Sequence, residues 1–509
     1  MTGNLFSIIR KGISDTSAPF IVSPDGSTLT YGQAFAQSAR LANLLAARGV
    51  QSGDRVAAQM EKSPEALMLY LACLRAGAVY LPLNTAYTLT ELEYFLGDAA
   101  PALVVCDPAR RNDIAPLAEK LGIGAVETLA ADGSGSLTDG ASKNAEDFAD
   151  VPRSTDDLAA FLYTSGTTGR SKGAMLTHGN LGSNASVLKD YWRFTKDDVL
   201  LHALPIFHTH GLFVATNVTL LAGSSMIFLP KFDPAQMFRL MPRATTMMGV
   251  PTFYTRLLQD DRLTREATAH MRLFVAGSAP LLADTHREWE QRTGHRILER
   301  YGMTETNMIT SNPYDGARVA GAVGLPLPGV SVRVRDPESG AEVYAGDVGM
   351  LQVKGPNVFK GYWQMPEKTK AEFTADGYFI TGDLGKIDPD GYISIVGRGK
   401  DLVISGGYNV YPKEVESEID AIEGVLESAV IGLPHADFGE GVTAVIVPAK
   451  ATTLDEKAIL KQLDGKLAKY KLPKRVLFVD ALPRNTMGKV LKNELRETYK
   501  NLFDLKRTA

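Results

Sequence analysis

The sequence predicts an α/β fold with mostly parallel sheets, followed by a smaller α+β unit. Three observations carry that expectation. Helix-like and strand-like stretches alternate through the first half of the chain, which is the rhythm of βαβ units. After about residue 321 the strand patterns become short and closely spaced, separated by turn signals such as PESG and PDG. Beyond the GRGK segment at 397–400, about 110 residues remain, an ordinary size for one domain.

In order along the chain, residues 31–49 carry Phe35, Leu41, Leu44 and Leu45 at helical spacings. Residues 55–59 (RVAAQ) read as a strand. Residues 63–76 read as a helix with Ser63 as N-cap and Pro64 in the first position, where a missing N–H costs nothing. A strand over 79–83, a helix over 90–99 and a strand over 102–106 (ALVVC) follow. Residues 132–144 are rich in Gly, Ser, Thr and Asp and read as a surface loop. The most membrane-like stretch, 204–230, contains Pro205, His208, His210 and Asn217, which are costly in lipid, so it reads as buried strands and loops. Strands at 330–334, 350–353, 378–380 and 392–395 look antiparallel, as in a small barrel. The last unit reads as a helix over 413–424 with Val415, Ile419 and Ile422 inward, strands at 428–432 and 442–447, a helix over 455–470, a strand at 475–479 and a closing helix from 490.

A chain of 509 residues with 45% apolar and 22% charged residues is globular and long enough for two or three domains. Its 54 basic and 58 acidic residues nearly balance, which argues against a nucleic-acid or membrane-surface binder. Two cysteines, Cys73 and Cys106, are no disulfide framework and fit a reducing compartment. The N-terminus shows no secretory h-region, so a cytoplasmic location is expected.

The strongest chemical signal is TSGTTGRSKG at 164–173, directly after the apolar run 158–163. Glycines and hydroxyls at a strand end make a concave anion site from backbone N–H groups, and Lys172 adds a point charge. It is not a Walker A loop, because Ser171 rather than Gly precedes Lys172. YGMTE at 301–305 sets Glu305 beside the Thr304 hydroxyl, a donor pair suited to Mg²⁺, which takes few protein ligands. In YFITGDL, Asp383 at a strand end has two oxygens for the two hydroxyls of a ribose, and Arg398 can clamp a phosphate. Gly406 and Gly407 would let a ligand approach the backbone. PRNTMGK at 483–489 places Lys489 in a loop expected to be mobile and long in reach. His208 and His210 form an H-x-H pair, but no third ligand follows at a spacing catalytic zinc would need, so packing or gating is the expectation there.

TSGTTGRSKG, YGMTE, TGD, GRGKD and PRNTMGK occur in that order over most of the chain. The set resembles the adenylate-forming superfamily of acyl- and aryl-CoA synthetases, peptide-synthetase adenylation domains and luciferases. The resemblance implies a large N-terminal domain, 1–397, of two doubly wound subdomains plus a β-barrel, a hinge at 398–400 centred on Lys400, and a small mobile α+β C-terminal domain, 401–509. It implies ATP, Mg²⁺ and coenzyme A as co-substrates and metal. Thr164, Ser165, Gly166, Thr167, Thr168, Gly169 and Lys172 would hold the β- and γ-phosphates. Gly277, Ala279, Pro280, Glu299, Arg300, Tyr301, Gly302, Met303 and Thr304 would line the nucleotide site. Glu305 would hold Mg²⁺, Thr304 the α-phosphate, and Asp383 with Arg398 the ribose. Lys489 would bridge the attacking carboxylate and the α-phosphate, and a lysine acetyltransferase could silence it. Gly406, Gly407, Tyr470 and Lys474 would meet coenzyme A.

The acid pocket would be lined by His208, Thr209, Ser278, Arg300 and Met308, with Met308 limiting its size. A buried arginine is expensive unless the substrate supplies a carboxylate, so Arg300 points to a small dicarboxylate. Within the superfamily, VYLPLNTAYTL, ALPIFHTHGLFVATNVTLLAG, GSAPLLADTH, ERYGMTETNM and KGPNVFKGYW are most similar to the malonyl-CoA synthetases. The resemblance therefore implies malonate, with methylmalonate, acetate or propionate, or loading of a carrier protein, as alternatives.

Overall fold

The computed structural model describes residues 3–503 apart from 165–170, 406, 407, 436, 450, 451, 453, 465, 468, 486 and 487. Two large sheets dominate the first part. One has the strand order Gly361–Tyr362, Lys172–Thr177, Leu158–Thr164, Val79–Pro82, Arg55–Gln59, Leu103–Cys106 and Ala125–Thr128. Its last five strands are parallel, and Lys172–Thr177 returns antiparallel to Leu158–Thr164 with Thr164 opposite Lys172. The second sheet is parallel from Leu298–Met303 through Leu273–Ala276, Thr246–Gly249, Val199–His202 and Ser225–Phe228 to Pro19–Val22, with antiparallel strands at both edges. Helices cover the faces of both sheets, the arrangement βαβ connections impose.

The helix Pro64–Ala76 starts as its sequence predicts, with the Ser63 side chain accepting from Ala66 N–H. Every residue from Ala66 to Ala76 is buried, so this helix has no polar face. It lies in the seam between the sheets. Tyr70 packs on Tyr80 of the first sheet (ring centroids 5.4 Å) and donates its hydroxyl to Asn217 (3.2 Å) on the side of the second.

Two expectations are corrected. Residues 132–144 are not all loop: Ser136–Ala141 is a short helix, because Leu137 and Ala141, four apart, seat one turn in the main core. Residues 204–230 are not strands and loops alone. His210–Thr216 forms π-helical turns and Asn217–Ala222 an α-helix before the strand Ser225–Phe228. The run is buried all round, and periodicity cannot separate helix from strand in such a run. Two helices of the last unit are also shorter than their patterns, at Pro412–Asp420 and Glu456–Leu463.

The barrel expected after residue 321 is represented by a four-stranded antiparallel sheet, ordered Ser331–Arg335, Gly349–Lys354, Phe379–Ile387, Ile393–Arg398. Among the described residues it stays open between its outer strands. From Val403 onward a separate sheet, centred on Val425–His435 and Gly439–Pro448, carries its own hydrophobic clusters. Cys73 and Cys106 are both buried free thiols. No helix among the described residues is long and apolar enough to cross a membrane.

Candidate active site

Most of the described candidate residues converge where the two large sheets, the antiparallel sheet and the last unit meet. At the phosphate end, the hairpin pairing sets Thr164 and Lys172 side by side at the strand ends. Ser165, Gly166, Thr167, Thr168 and Gly169 lie outside the described residues. The Lys172 ammonium lies 3.1 Å from Glu372 and 4.1 Å above the ring of Tyr362. The Tyr362 hydroxyl stands between two carboxylates, 2.7 Å from Glu372 and 3.0 Å from the buried Glu305. Burial raises the pKa of Glu305 against the opposing pull of Tyr362, Lys172 and Arg398. Among the described residues no group of three or more acidic, His or Cys side chains could cage a metal. One carboxylate suits Mg²⁺ that arrives on a polyphosphate, since that ion keeps waters and phosphate oxygens as its other ligands. Thr304 sits in the turn just before Glu305.

Asp383 is buried and engaged through both oxygens: Arg398 Nε at 2.7 Å on one and the Tyr301 hydroxyl at 2.5 Å on the other. The pairing of Asp383 with Arg398 across neighbouring strands fixes this contact in the backbone register.

The acid pocket is built at the ends of parallel strands, where open α/β sheets place ligands. Arg300 lies on the strand Leu298–Met303 and points toward Gly277, at the end of the neighbouring strand. A Cβ on residue 277 would sit 2.4 Å from the guanidinium carbon, so any side chain there would displace the Arg300 head. Arg300 is 3% exposed, and its Nε and one terminal nitrogen have no hydrogen-bond partner. Burial draws its pKa down to about 9, which still leaves a cation at neutral pH. Glu299 does not neutralise it. Successive strand residues face opposite ways, and the Glu299 carboxylate pairs with His286 at 3.2 Å.

Facing Arg300 is the turn that carries His208, Thr209 and His210. Burial, then Arg300 and Lys489, lower the His208 pKa to about 4. Its Nδ1 accepts from the His210 N–H at 3.2 Å, which leaves the hydrogen of the neutral ring on Nε2. His210 Nδ1 meets the Ser278 hydroxyl at 3.2 Å, while its Nε2 and the Thr209 hydroxyl are buried without partners. Ser278 takes a left-handed φ of 74°, a strain a non-glycine residue adopts only when held there. Met308 is 2% exposed and pairs with Gly302 across the strand, where any Cβ would strike it. Ala279 is half-buried and Pro280 exposed beyond Ser278, and Met303 is half-buried before Thr304. Four orphaned polar atoms on Thr209, His210 and Arg300 thus surround one buried place, and buried polar atoms without partners are rare.

Thr486 and Met487 of the loop carrying Lys489 lie outside the described residues, and the described ones make these contacts. Lys489 N–H donates to the Asn485 side chain at 2.9 Å, and Gly488 (φ 75°) approaches Thr252 of the first part so closely that a Cβ would lie 3.3 Å away. Part of Lys489 reaches solvent, yet burial around its ammonium, then Arg398, draws its pKa to about 8. Lys400 lies in a three-residue turn, Gly399–Asp401, with an ion pair on either side: Arg398–Asp383 before it and Arg496–Asp401 (2.6 Å) after it. Gly406 and Gly407 lie outside the described residues. Tyr470 stacks on Tyr408 (4.8 Å) and the Lys474 ammonium covers Phe438 (4.5 Å), both within the last unit and apart from the acid pocket. Sequence reasoning gave no role to Tyr362, although it lies in the segment KGPNVFKGYW, or to Glu372.

The family model described as AMP-binding enzyme matches residues 14–363, and that of the AMP-binding enzyme C-terminal domain matches 414–489. The chain is similar to ATP-bound MatB from Rhodopseudomonas palustris, with 67% identity over 99% of this chain and 100% of that one and a TM-score of 0.98. Against the apo form of the same protein, at the same identity and coverage, the TM-score is 0.86. It is also 36% identical to a malonate–CoA ligase of Arabidopsis thaliana, over 98% of this chain and 90% of that relative.

Proposed function

The chain belongs to the AMP-binding enzyme family, and from that premise we propose that it is an ATP-dependent malonate:CoA ligase acting in the cytoplasm. The observation that carries the choice of acid is the buried Arg300 guanidinium without a carboxylate partner. Malonate has one carboxylate to react and a second to meet Arg300. A buried cation facing orphaned donors is costly in the free protein and repaid by a dicarboxylate.

In the first half-reaction an oxygen of the free malonate carboxylate attacks the α-phosphorus of ATP, pyrophosphate leaves with the broken P–O bond, and malonyl-adenylate remains. Such a transfer needs in-line positioning and charge neutralisation more than acid–base chemistry. We assign the 164–169 loop and Lys172 to the β- and γ-phosphates, Thr304 to the α-phosphate and Asp383 with Arg398 to the ribose. Gly277, Ala279 and Pro280 would wall the adenine and acyl sites. Glu305 would hold Mg²⁺, which neutralises phosphate charge. His208, Thr209, Ser278 and Arg300 would grip the distal carboxylate, with Met308 closing the pocket behind. Lys489, near Arg398, Asp383 and His208, would bridge the reacting carboxylate and the α-phosphate. In the second half-reaction the last unit would turn about Lys400. The thiol sulfur of coenzyme A, met by Gly406, Gly407, Tyr470 and Lys474, would then attack the acyl carbon and release AMP. The higher likeness to the ATP-bound relative supports reading this arrangement as that of the first step.

The test is AMP release with malonate, methylmalonate, succinate, acetate and butyrate, each with ATP and coenzyme A. Malonate should lead. Acetate or butyrate ahead would remove Arg300 from the substrate, and silence with all five would point to a carrier-protein thiol.

Two further outcomes follow from the geometry. Asp383→Asn should raise the KM for ATP about tenfold or more while moving the malonate KM little, because it removes a charged partner from the ribose and from Arg398. Steady-state titration of each substrate checks this. With its pKa at about 8, Lys489 loses its proton as pH rises through that value. Single-turnover adenylate formation should therefore fall above about pH 8, while thioester formation from supplied malonyl-adenylate should not fall in that window.

A further inference from the structure

Beneath the acid-reading turn lies a second polar cluster that none of the roles above uses. Lys62 follows the strand Arg55–Gln59 of the first sheet, and His202 ends the strand Val199–His202 of the second. They meet in the seam. The Lys62 ammonium lies 3.0 Å from His202 Nδ1 and donates to the His202 carbonyl at 2.9 Å. It sits 4.1 Å above the Phe228 ring, with 8% of the residue exposed, and His202 is 1% exposed. Among the described residues it has no carboxylate within ion-pair distance. A lysine buried without an acid is uncommon, and its donors must be used. Here His202 takes them.

His202 carries the contact onward. The Gly211 carbonyl can only accept, so the ring hydrogen sits on Nε2, which reaches that carbonyl at 3.0 Å, and Nδ1 is left to accept from Lys62. The Thr216 hydroxyl donates to the same carbonyl at 2.9 Å. Gly211 closes the turn that holds His208, Thr209 and His210, and it is packed so tightly that a Cβ would lie 2.1 Å from the Pro205 carbonyl oxygen. From there the chain runs in π-helical turns, a rare geometry that is frequent at functional sites. The helix that starts two residues after Lys62 anchors the far end of those turns through Tyr70 and Asn217.

We propose that Lys62 and His202 form a positioning couple that spans the two sheets and sets the acid-reading turn, tuning acid recognition without touching the acid. The proposal rests on the reading of His208, Thr209 and Ser278 as the acid pocket.

Lys62→Met in the full-length enzyme keeps the length of the side chain and removes its donors. The KM for malonate should rise about tenfold, the effect of one lost hydrogen bond. The KM for ATP should stay within about twofold, since the phosphate and ribose contacts are untouched. Lys62→Gln, which keeps a donor, should fall between wild type and Lys62→Met, and it serves as the reading variant if Lys62→Met does not purify folded. An unchanged malonate KM would overturn the proposal. So would malonate and ATP KM values that rise together with a lowered melting temperature, as plain loss of packing would give. Wild type is assayed first on the five acids. If another acid leads, the malonate reading fails by itself, and the couple stands or falls on the KM for that acid.

Discussion

Arg300→Met should lower kcat/KM for malonate by about two to three and a half orders of magnitude, the consequence of leaving one charge of a buried pair uncompensated (~3–5 kcal/mol). Activation of acetate or propionate should suffer far less, because neither acid carries a second carboxylate. The same substitution should leave the free protein at least as stable thermally. Wild-type Arg300 keeps two guanidinium nitrogens buried without partners, and burial already depresses its pKa, so removing the charge relieves a cost in the unliganded fold. Opposite signs for activity and stability separate a substrate clamp from a structural arginine. Steady-state kinetics on malonate and acetate, with a melting curve, give both. A malonate kcat/KM within tenfold of wild type would end the clamp.

Lys489→Ala should cut malonyl-adenylate formation by about 10²–10³-fold, the range for removing one preorganised charge from developing phosphoryl charge. Thioester formation from pre-made malonyl-adenylate should change only a few-fold, because the last unit is expected to carry Lys489 away before that step. Measuring the two half-reactions separately checks this, and equal losses would refute the role. Acetylation of Lys489 removes the same charge, so a stoichiometrically acetylated sample should show the same one-sided loss. Part of Lys489 reaches solvent, which gives a lysine acetyltransferase something to reach.

Much of the fold is legible wherever a local rule has no competitor. RVAAQ becomes the strand Arg55–Gln59 as a short buried run, and Ser63 with Pro64 opens a helix because capping acts within a few residues. Legibility fails where the environment decides. Residues 211–220 are buried on every side, so no period marks them as helix. Leu137 and Ala141 gain a turn of helix only because a core lies beneath them. The site divides in the same way. Arg300 is found from the sequence because it abuts YGMTE, and Lys172 because its loop is contiguous. Tyr362 and Glu372 join Glu305 and Lys172 only in three dimensions. Lys62 and His202 are 140 residues apart and carry no mark that they meet. The docking of the Lys489 loop on Thr252 depends likewise on how two separately folded parts lie together.

The helix Pro64–Ala76, with no polar face, has a consequence for how the molecule comes apart. Neither large sheet can melt by itself without exposing this shared helix to water, so the two sheets are bound into a single cooperative unfolding unit. Among the described residues, the unit from Val403 onward has its own clusters, separate from the one that holds that helix, so it should unfold as a second cooperative unit. On the proposed turn of the last unit about Lys400, the first part would move as one body and the freedom needed between half-reactions would fall on the few backbone torsions around that residue.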